Sequence, residues 1–177
     1  MCVFTLRDRE SAYVSTNGVK CWTKQGLDGK IGTQECGLYV HKEERFRVSN
    51  CYVTLRPREP LTVRVWTNLN GKASDESFAI DNVVVRKKQR PDGGTIQQLV
   101  NYGTDNRFND VNNFEGWNCG KITTCNWSLN TVPLGQMCGG YKVKGKGSIL
   151  IKTFDLPPGT YSVKMDFIKI DSWFVVW

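Results

Sequence analysis

The stretch TYSVKMDFIKI, residues 160–170, alternates polar and apolar side chains from Thr160 to Phe167. This two-residue period is typical of a β-strand with one face buried. Ile168 and Ile170 continue the apolar positions on the opposite parity, so we expect a β-bulge where the phase changes. Helical periodicity is nearly absent from the sequence as a whole. The chain is therefore predicted to be all-β.

Other strand-like segments follow one another along the chain, with turn-forming residues between them. Residues 61–65 alternate in the same way, and shorter β-prone segments lie at 12–15, 19–23, 46–48, 52–55, 78–86, 141–144 and 148–154. Turns are expected at Asn17-Gly18, Asp28-Gly29, Asn70-Gly71 and Pro157-Pro158-Gly159. Many short strands punctuated by glycine and proline predict a β-sandwich or a jelly roll.

The composition favours one folded domain and limits the classes of partner. With 177 residues, of which 40% are hydrophobic, the chain can bury a core. No apolar run approaches the roughly 18 residues of a membrane span, so membrane insertion is not expected. The net charge of +7 comes partly from Lys142, Lys144 and Lys146, whose alternation predicts the solvent face of a strand. Without a zinc-finger spacing or basic helix, no nucleic-acid partner is expected, and an anionic glycan suits the charge better.

The cysteines indicate an oxidising compartment. They lie at positions 2, 21, 36, 51, 119, 125 and 138 without any C-x-x-C pair, which favours disulfides over zinc. The odd count leaves one thiol unpaired, and we assign it to Cys2. The glycosylation sequon at Asn126 fits the same extracellular or cell-surface location.

Several phrases of the sequence resemble one family. They are SDESFAIDNVVVRK at 74–87, LPPGTYSVKMDFIKIDSW at 156–173, FEGW at 114–117 and TNGV at 16–19. Together they resemble the galactose-binding-like jelly-roll domains of protist and algal surface proteins. The resemblance implies a jelly-roll β-sandwich with a binding function.

The order of these phrases is rotated relative to the family. The family opens with the FEGW-like phrase and closes with the IDNV strand, whereas here the closing half comes first. We therefore expect one split and permuted domain. Its C-terminal half is 1–88, its linker 89–107 and its N-terminal half 108–177. The chain is then either a circular permutant or one period of a tandem array, with 1–7 and 174–177 as flanks. Either origin predicts that Ser11 and Trp173 lie close together.

Four acidic residues are predicted to hold a structural calcium ion. In a jelly roll the turn before the last strand lies beside the first strand, which would bring Glu115 near Asp75, Glu76 and Asp81. Carboxylates with nearby carbonyls suit the oxygen coordination of calcium, and the resemblance supports such a site. The alternative is that Asp81 accepts backbone N–H groups while the other acids are solvated. A second acidic group, Asp8, Glu10 and Asp171, forms only if the chain ends meet.

The sequence carries weak catalytic signatures and one candidate sugar-binding surface. The single histidine, His41, lies in a charged segment expected to be exposed, and no phosphate-binding loop is present. Trp66 falls on the opposite parity from Val63 and Val65, so we expect it to face solvent beside Asn68 and Asn70. An exposed indole can stack on a pyranose while amides bind its hydroxyls. Trp117, by contrast, is expected in the core.

Two functions follow from these observations. The favoured one is a non-catalytic extracellular carbohydrate-binding or cell-adhesion module, a unit of a repetitive surface protein that binds a glycan or glycoprotein. The alternative is a structural building block that self-associates head to tail by strand complementation, since a split sandwich exposes strand edges.

Overall fold

The computed structural model describes residues 10–27, 32, 42–88, 98–102, 114–124 and 136–171. Over these ranges the chain forms ten strands and no helix. The described residues therefore contain no helix that could span a membrane. The strands are β1 Ser11–Thr16, β2 Val19–Gln25, β3 Glu44–Leu55, β4 Leu61–Thr67, β5 Glu76–Lys87, β6 Gln98–Tyr102, β7 Ile122–Thr124, β8 Gln136–Gly139, β9 Ile149–Phe154 and β10 Gly159–Asp171.

Two antiparallel sheets pack face to face. The four-stranded sheet has the order β2-β1-β4-β9, and the six-stranded sheet has the order β3-β10-β5-β8-β7, with β6 also paired to β5. Every strand pair is antiparallel. The prediction of an all-β protein with a β-sandwich architecture is confirmed.

The core draws on residues from both sides of the predicted linker. One cluster of buried side chains includes Val14 and Val65 from one sheet and Phe78 and Phe167 from the other. Phe78 and Phe167 stack with ring centres 5.8 Å apart. Trp117 also belongs to this cluster, as predicted, and only 7% of its surface is exposed. Segments 10–88 and 114–171 therefore share a single core.

Strand β10 lies at the centre of the larger sheet and is regular, contrary to the bulge predicted within it. The extra residues are in its two neighbours, at Asn50 of β3 and Asn82 of β5, both with positive φ (63° and 48°). The parity change in the sequence has a different cause. Ile168 and Ile170 lie on the outer face, where they are fully buried in a second apolar cluster with Ala79 and Met137.

The strand predicted at 141–144 is wrong, and so is the interpretation of its lysines. This segment forms turns whose backbone bonds to a neighbouring loop and to β5: Lys142 N–H donates to Ala73 O (3.0 Å), and Phe78 N–H of β5 donates to Lys144 O (2.9 Å). Gly140 and Gly147, on the two sides of the segment, take positive φ, which favours turns over strand pairing.

Disulfides close both open sides of the sandwich. Cys21 of β2 bonds to Cys51 of β3, which joins the edge strands of the two sheets. On the opposite side, Cys119 bonds to Cys138 of β8. Asn118, which precedes Cys119, hydrogen-bonds to the backbone of the edge strand β9. Its Oδ1 accepts from Ile151 N–H (2.6 Å) and its Nδ2 donates to Ile149 O (3.0 Å). The prediction of disulfides is thus confirmed for these two pairs.

Some sequence predictions concern residues outside the described ranges. Among them are the unpaired Cys2, the sequon at Asn126 and most of the linker 89–107. Within that linker, Gln98–Tyr102 forms β6 and pairs with β5.

Candidate functional site

An aromatic surface lies on the solvent side of the four-stranded sheet. In β4, the side chains of Leu61, Val63 and Val65 are buried, so the alternate positions turn outward. Trp66 is one of these outward residues, and its partner across the β1–β4 pair is Tyr13. The two rings stack with their centres 5.3 Å apart and both remain partly exposed. The predicted outward orientation of Trp66 therefore agrees with the structure.

Cationic side chains flank the aromatic pair. The ammonium of Lys20, on the edge strand β2, lies 4.3 Å from the centre of the Tyr13 ring and 5.9 Å from that of Trp66. Arg64 is exposed two residues before Trp66 on the same face of β4. A ligand that stacks on these rings would therefore meet positive charge beside an apolar surface.

A cleft of about 490 Å³ opens next to this surface. Its walls come from two loops, the one after β4 and the one before β9. Ile149, the residue of β9 that pairs with Trp66, directly follows the lining residue Ser148. Adjacent strands are about 4.8 Å apart, so the backbone of Ser148, which lines the cleft, lies close to that of Trp66. The lining residues are Asn70, Gly71, Lys72, Ala73, Val143, Gly145, Lys146 and Ser148.

The two predicted amides lie between the aromatic surface and the cleft. Asn68 is exposed, and its Oδ1 accepts a hydrogen bond from Ser11 N–H (2.5 Å), which fixes the start of β1. Asn70 is exposed and lines the cleft. Trp66, Asn68 and Asn70 thus form a continuous path from the rings to the cleft.

The four predicted calcium ligands are distributed over three places. Glu76 and Asp81 belong to the same strand but are five positions apart. They therefore point to opposite faces of the sheet and lie about 16 Å apart along the strand. Glu115 is exposed beside the other sheet, where its backbone carbonyl accepts a hydrogen bond from Lys152 of β9. Over the described part of the chain, no group of three or more acidic, histidine or cysteine side chains is arranged to hold a metal. These four residues therefore do not surround one ion.

Asp81 belongs to an ionic cluster on the outer face of the larger sheet. It pairs across strands with Asp166, and Arg45 reaches both carboxylates, at 3.3 Å and 3.6 Å. Arg47 lies 2.7 Å from Asp166, and Asn82 donates to Asp166 from its side chain (2.7 Å). Burial raises the pKa of Asp81 to about 6, opposed by the hydrogen bond from Asn82 N–H and the charge of Arg45.

We expect Asp81→Ala to be less stable than Asp81→Asn by about 1–3 kcal/mol, the usual effect of an unpaired buried donor. Asparagine keeps an oxygen for the backbone N–H of Asn82, which donates to Asp81 Oδ1 at 2.7 Å, whereas alanine does not. Urea denaturation at neutral pH measures the difference. Asp155→Ala, at an exposed site, is the control. Equal stability of the two Asp81 variants would show that Asp81 does not stabilise the fold by accepting the backbone N–H of Asn82.

Glu76 belongs to a separate group of buried carboxyls at one end of the sandwich. It pairs across strands with Asp171, near the end of the described chain, and its side chain hydrogen-bonds to Glu10, which precedes β1. Its Oε2 also accepts from Gly71 N–H. Glu10 and Asp171, two members of the predicted second acidic group, thus lie at the same end of the sandwich, while Asp8 and Trp173 are outside the described residues.

The environment of Glu10 favours its protonated form. Burial raises its pKa to about 8, and the hydrogen bond to Glu76 and the negative charges of Glu76 and Asp75 act in the same direction. Two carboxyls can share a hydrogen bond only if one of them carries the proton. The start of β1 is therefore connected to the start of β5 by a hydrogen bond between two carboxyl groups.

The single histidine, His41, lies outside the described residues. The paired carboxylates Asp81 and Asp166 are engaged by arginines on a sheet face. Sequence reasoning missed Tyr13, Lys20 and the cleft lysines Lys72 and Lys146. The alternation of β1 could have indicated Tyr13, since Ala12 and Val14 are the buried positions beside it.

Comparison with protein-family models, with curated proteins and with solved structures finds no match to this chain. The similarity to galactose-binding-like domains therefore rests on the sequence phrases given above.

Proposed function

We propose that the protein is a non-catalytic extracellular module that binds carbohydrate and acts in recognition or adhesion. The observation that carries this proposal is the stacked Tyr13–Trp66 pair, partly exposed beside a cleft. Aromatic faces bind the apolar C–H side of a sugar ring, and a few placed polar groups fix its orientation. The ligand is a glycan, free or on a glycoprotein.

Polar groups for the hydroxyls are present at suitable places. Asn68 is exposed directly after β4, the strand that carries Trp66, and its amide nitrogen can donate while its oxygen accepts from Ser11 N–H. Asn70 and Ser148 line the adjoining cleft. This combination of one apolar surface with a few amides and hydroxyls is the usual composition of a sugar site.

The finer architecture belongs to the same proposal. We propose a jelly roll of the galactose-binding-like type, with its halves in permuted order, as one unit of a repetitive surface protein. Its support is the shared core of segments 10–88 and 114–171 and the proximity of Glu10 to Glu76, the partner of Asp171. The two disulfides are compatible with an extracellular location.

Head-to-tail assembly by strand complementation receives less support. It needs an exposed strand edge, but Asn118 already pairs with the edge of β9. This contact favours the binding module over the building block.

Calcium is not part of the proposed mechanism. Because its predicted ligands Glu76, Asp81 and Glu115 lie apart, no step of glycan binding is assigned to an ion. Calcium binding elsewhere in the chain stays a prediction, and a thermal scan in chelator and in excess calcium tests it, since an ion bound to the folded state raises Tm.

We expect Trp66→Ala to weaken glycan binding at least about tenfold, because an aromatic stacking surface contributes on the order of 1 kcal/mol or more. A glycan array identifies the ligand, and titration calorimetry then measures the affinity. Tyr52→Ala is a matched control: Tyr52 is 49% exposed on the other sheet, beneath Lys88.

Circular dichroism should show that both variants keep the fold, since neither ring belongs to the core cluster. Unchanged affinity in Trp66→Ala, or an equal loss in Tyr52→Ala, would contradict this assignment. If the wild-type protein bound no glycan on the array, the proposal itself would fail.

A further inference from the structure

The cleft beside Trp66 is built by close contact between two backbone loops. Lys146 N–H donates to Gly71 O (3.3 Å) and Lys142 N–H donates to Ala73 O (3.0 Å), so the loops bond directly to each other. A third bond, from Phe78 N–H to Lys144 O (2.9 Å), anchors the second loop to β5. The cleft is therefore held in shape by main-chain bonds.

Glycines are required where the walls meet. A Cβ on Gly145 would lie 2.6 Å from the Cα of Ala73, and one on Gly71 would lie 2.5 Å from Oε2 of Glu76. Both distances are shorter than any normal contact. A larger residue at position 145 would therefore push the two loops apart, whereas one at position 71 would displace the Glu76 side chain. The close approach of the two loops thus depends on Gly145.

The rim of the cleft is cationic. Lys72 and Lys146 are exposed, one from each loop, and both line the cleft. Two acidic residues follow the first loop: Glu76 is fully buried and accepts from Gly71 N–H, whereas Asp75 is partly exposed. Asn70 and Ser148 add polar groups that can donate hydrogen bonds. Two ammonium groups from facing loops favour an anionic group between them.

We infer that this cleft binds the carboxylate or sulfate of an acidic glycan whose sugar ring stacks on the Tyr13–Trp66 pair. The inference rests on the proposed carbohydrate-binding function and specifies its ligand class. Contiguity supports it, because Ser148 precedes the partner of Trp66 and Asn70 follows Trp66 by four residues. Lys20, beside the rings, adds positive charge on the same side of the molecule.

The test compares glycans that differ only in charge. The probes are a galacturonic acid tetramer and its methyl ester, together with sulfated and sialylated oligosaccharides and their neutral parents. Lys72→Gln and Lys146→Gln are each expected to weaken binding of the acidic form about tenfold and to leave the neutral form unchanged, as expected for loss of a charge-assisted hydrogen bond. Comparing the uronic, sialylated and sulfated arms distinguishes carboxylate from sulfate.

Lys164→Gln is the matched control, because Lys164 is exposed on the outer face of the other sheet. It should leave all affinities unchanged. Equal affinity for the acid and its ester, or an equal loss in Lys164→Gln, would overturn the cleft assignment while the proposed glycan binding stands. Absence of binding to every glycan in the wild-type protein would reject both.

Discussion

Replacing Glu10 with glutamine is expected to stabilise the protein at pH 8 and to flatten the decline of its stability above pH 6. The pKa of Glu10 is about 8 in the folded protein, well above its ordinary value of 4.5, chiefly because the carboxyl is buried. The folded state therefore keeps a proton that the unfolded state has released. In this window the free energy of unfolding falls as the pH rises.

The size of the effect follows from the pKa difference. Each pKa unit corresponds to about 1.4 kcal/mol, so the wild-type protein should lose several kcal/mol between pH 4.5 and pH 8. Below pH 4.5 Glu10 is protonated in both the folded and the unfolded state, and its stabilising contribution to the free energy of unfolding is fully present. Asp81, whose pKa is about 6, also lowers the free energy of unfolding as the pH rises, but in a lower pH range. The interval from pH 6.5 to 8 therefore isolates Glu10 best.

The charged neighbours of Glu10 are the reason for choosing glutamine. Glu76 hydrogen-bonds to Glu10, and Asp75 adds negative charge. A glutamine amide can donate to Glu76 at any pH, as protonated Glu10 does, and does not ionise. The variant should thus retain the contact between the start of β1 and the end of the sandwich.

Urea denaturation at several pH values measures the slope for each protein. Glu115→Gln, at an exposed site, is the control and should follow the wild-type curve. Because groups elsewhere titrate equally in both proteins, the difference between the Glu10→Gln curve and the wild-type curve reports on the hydrogen-bonded pair Glu10–Glu76. Parallel curves for these two proteins would show that Glu10 ionises normally in the fold.

The strands were the most predictable feature of the protein. The alternation at 160–170 and 61–65 correctly located β10 and β4, because one buried face imposes a period of two. The same rule placed Trp66 on the solvent side. The two-residue rule fails for Ile168 and Ile170, because it assumes that one face of a strand is exposed to solvent. Both faces of β10 are buried at that end.

The acidic residues show what a linear pattern does and does not determine. Glu76 and Asp81 were grouped because they are close in sequence, yet five positions along a strand put them on opposite faces. The parity rule alone could have separated them. The association of Glu76 with Glu10 could not be predicted in this way, because Glu10 precedes a strand of the other sheet and the two residues meet only in the folded sandwich.

The cleft could not be predicted from local patterns. Its walls are irregular loops more than 60 residues apart in the sequence, held together by main-chain bonds that carry no sequence signal. The alternating lysines at 142–146 even resembled a strand. The surrounding glycines were the available clue, since they favour turns over strand pairing.

Removing the Cys119–Cys138 disulfide by alanine substitution is expected to lower the free energy of unfolding by about 3 kcal/mol. The bond closes a separation of 19 residues and connects the segment carrying Asn118 to β8. Removing Cys21–Cys51, with a separation of 30 residues, should lower it by a similar or slightly larger amount. For a chain of this size, we expect Tm to fall by about 10 °C in each case.

The two double variants should differ in their oligomeric state. Loss of Cys119–Cys138 releases Asn118 from the edge of β9, and an uncovered edge can pair with another chain. Loss of Cys21–Cys51 leaves that cover in place. Light scattering after size exclusion should therefore detect concentration-dependent association in Cys119→Ala/Cys138→Ala and a monomer in Cys21→Ala/Cys51→Ala. If both variants stayed monomeric, Asn118 would hold the edge without the disulfide. If both associated, general destabilisation would explain the result better than the edge of β9.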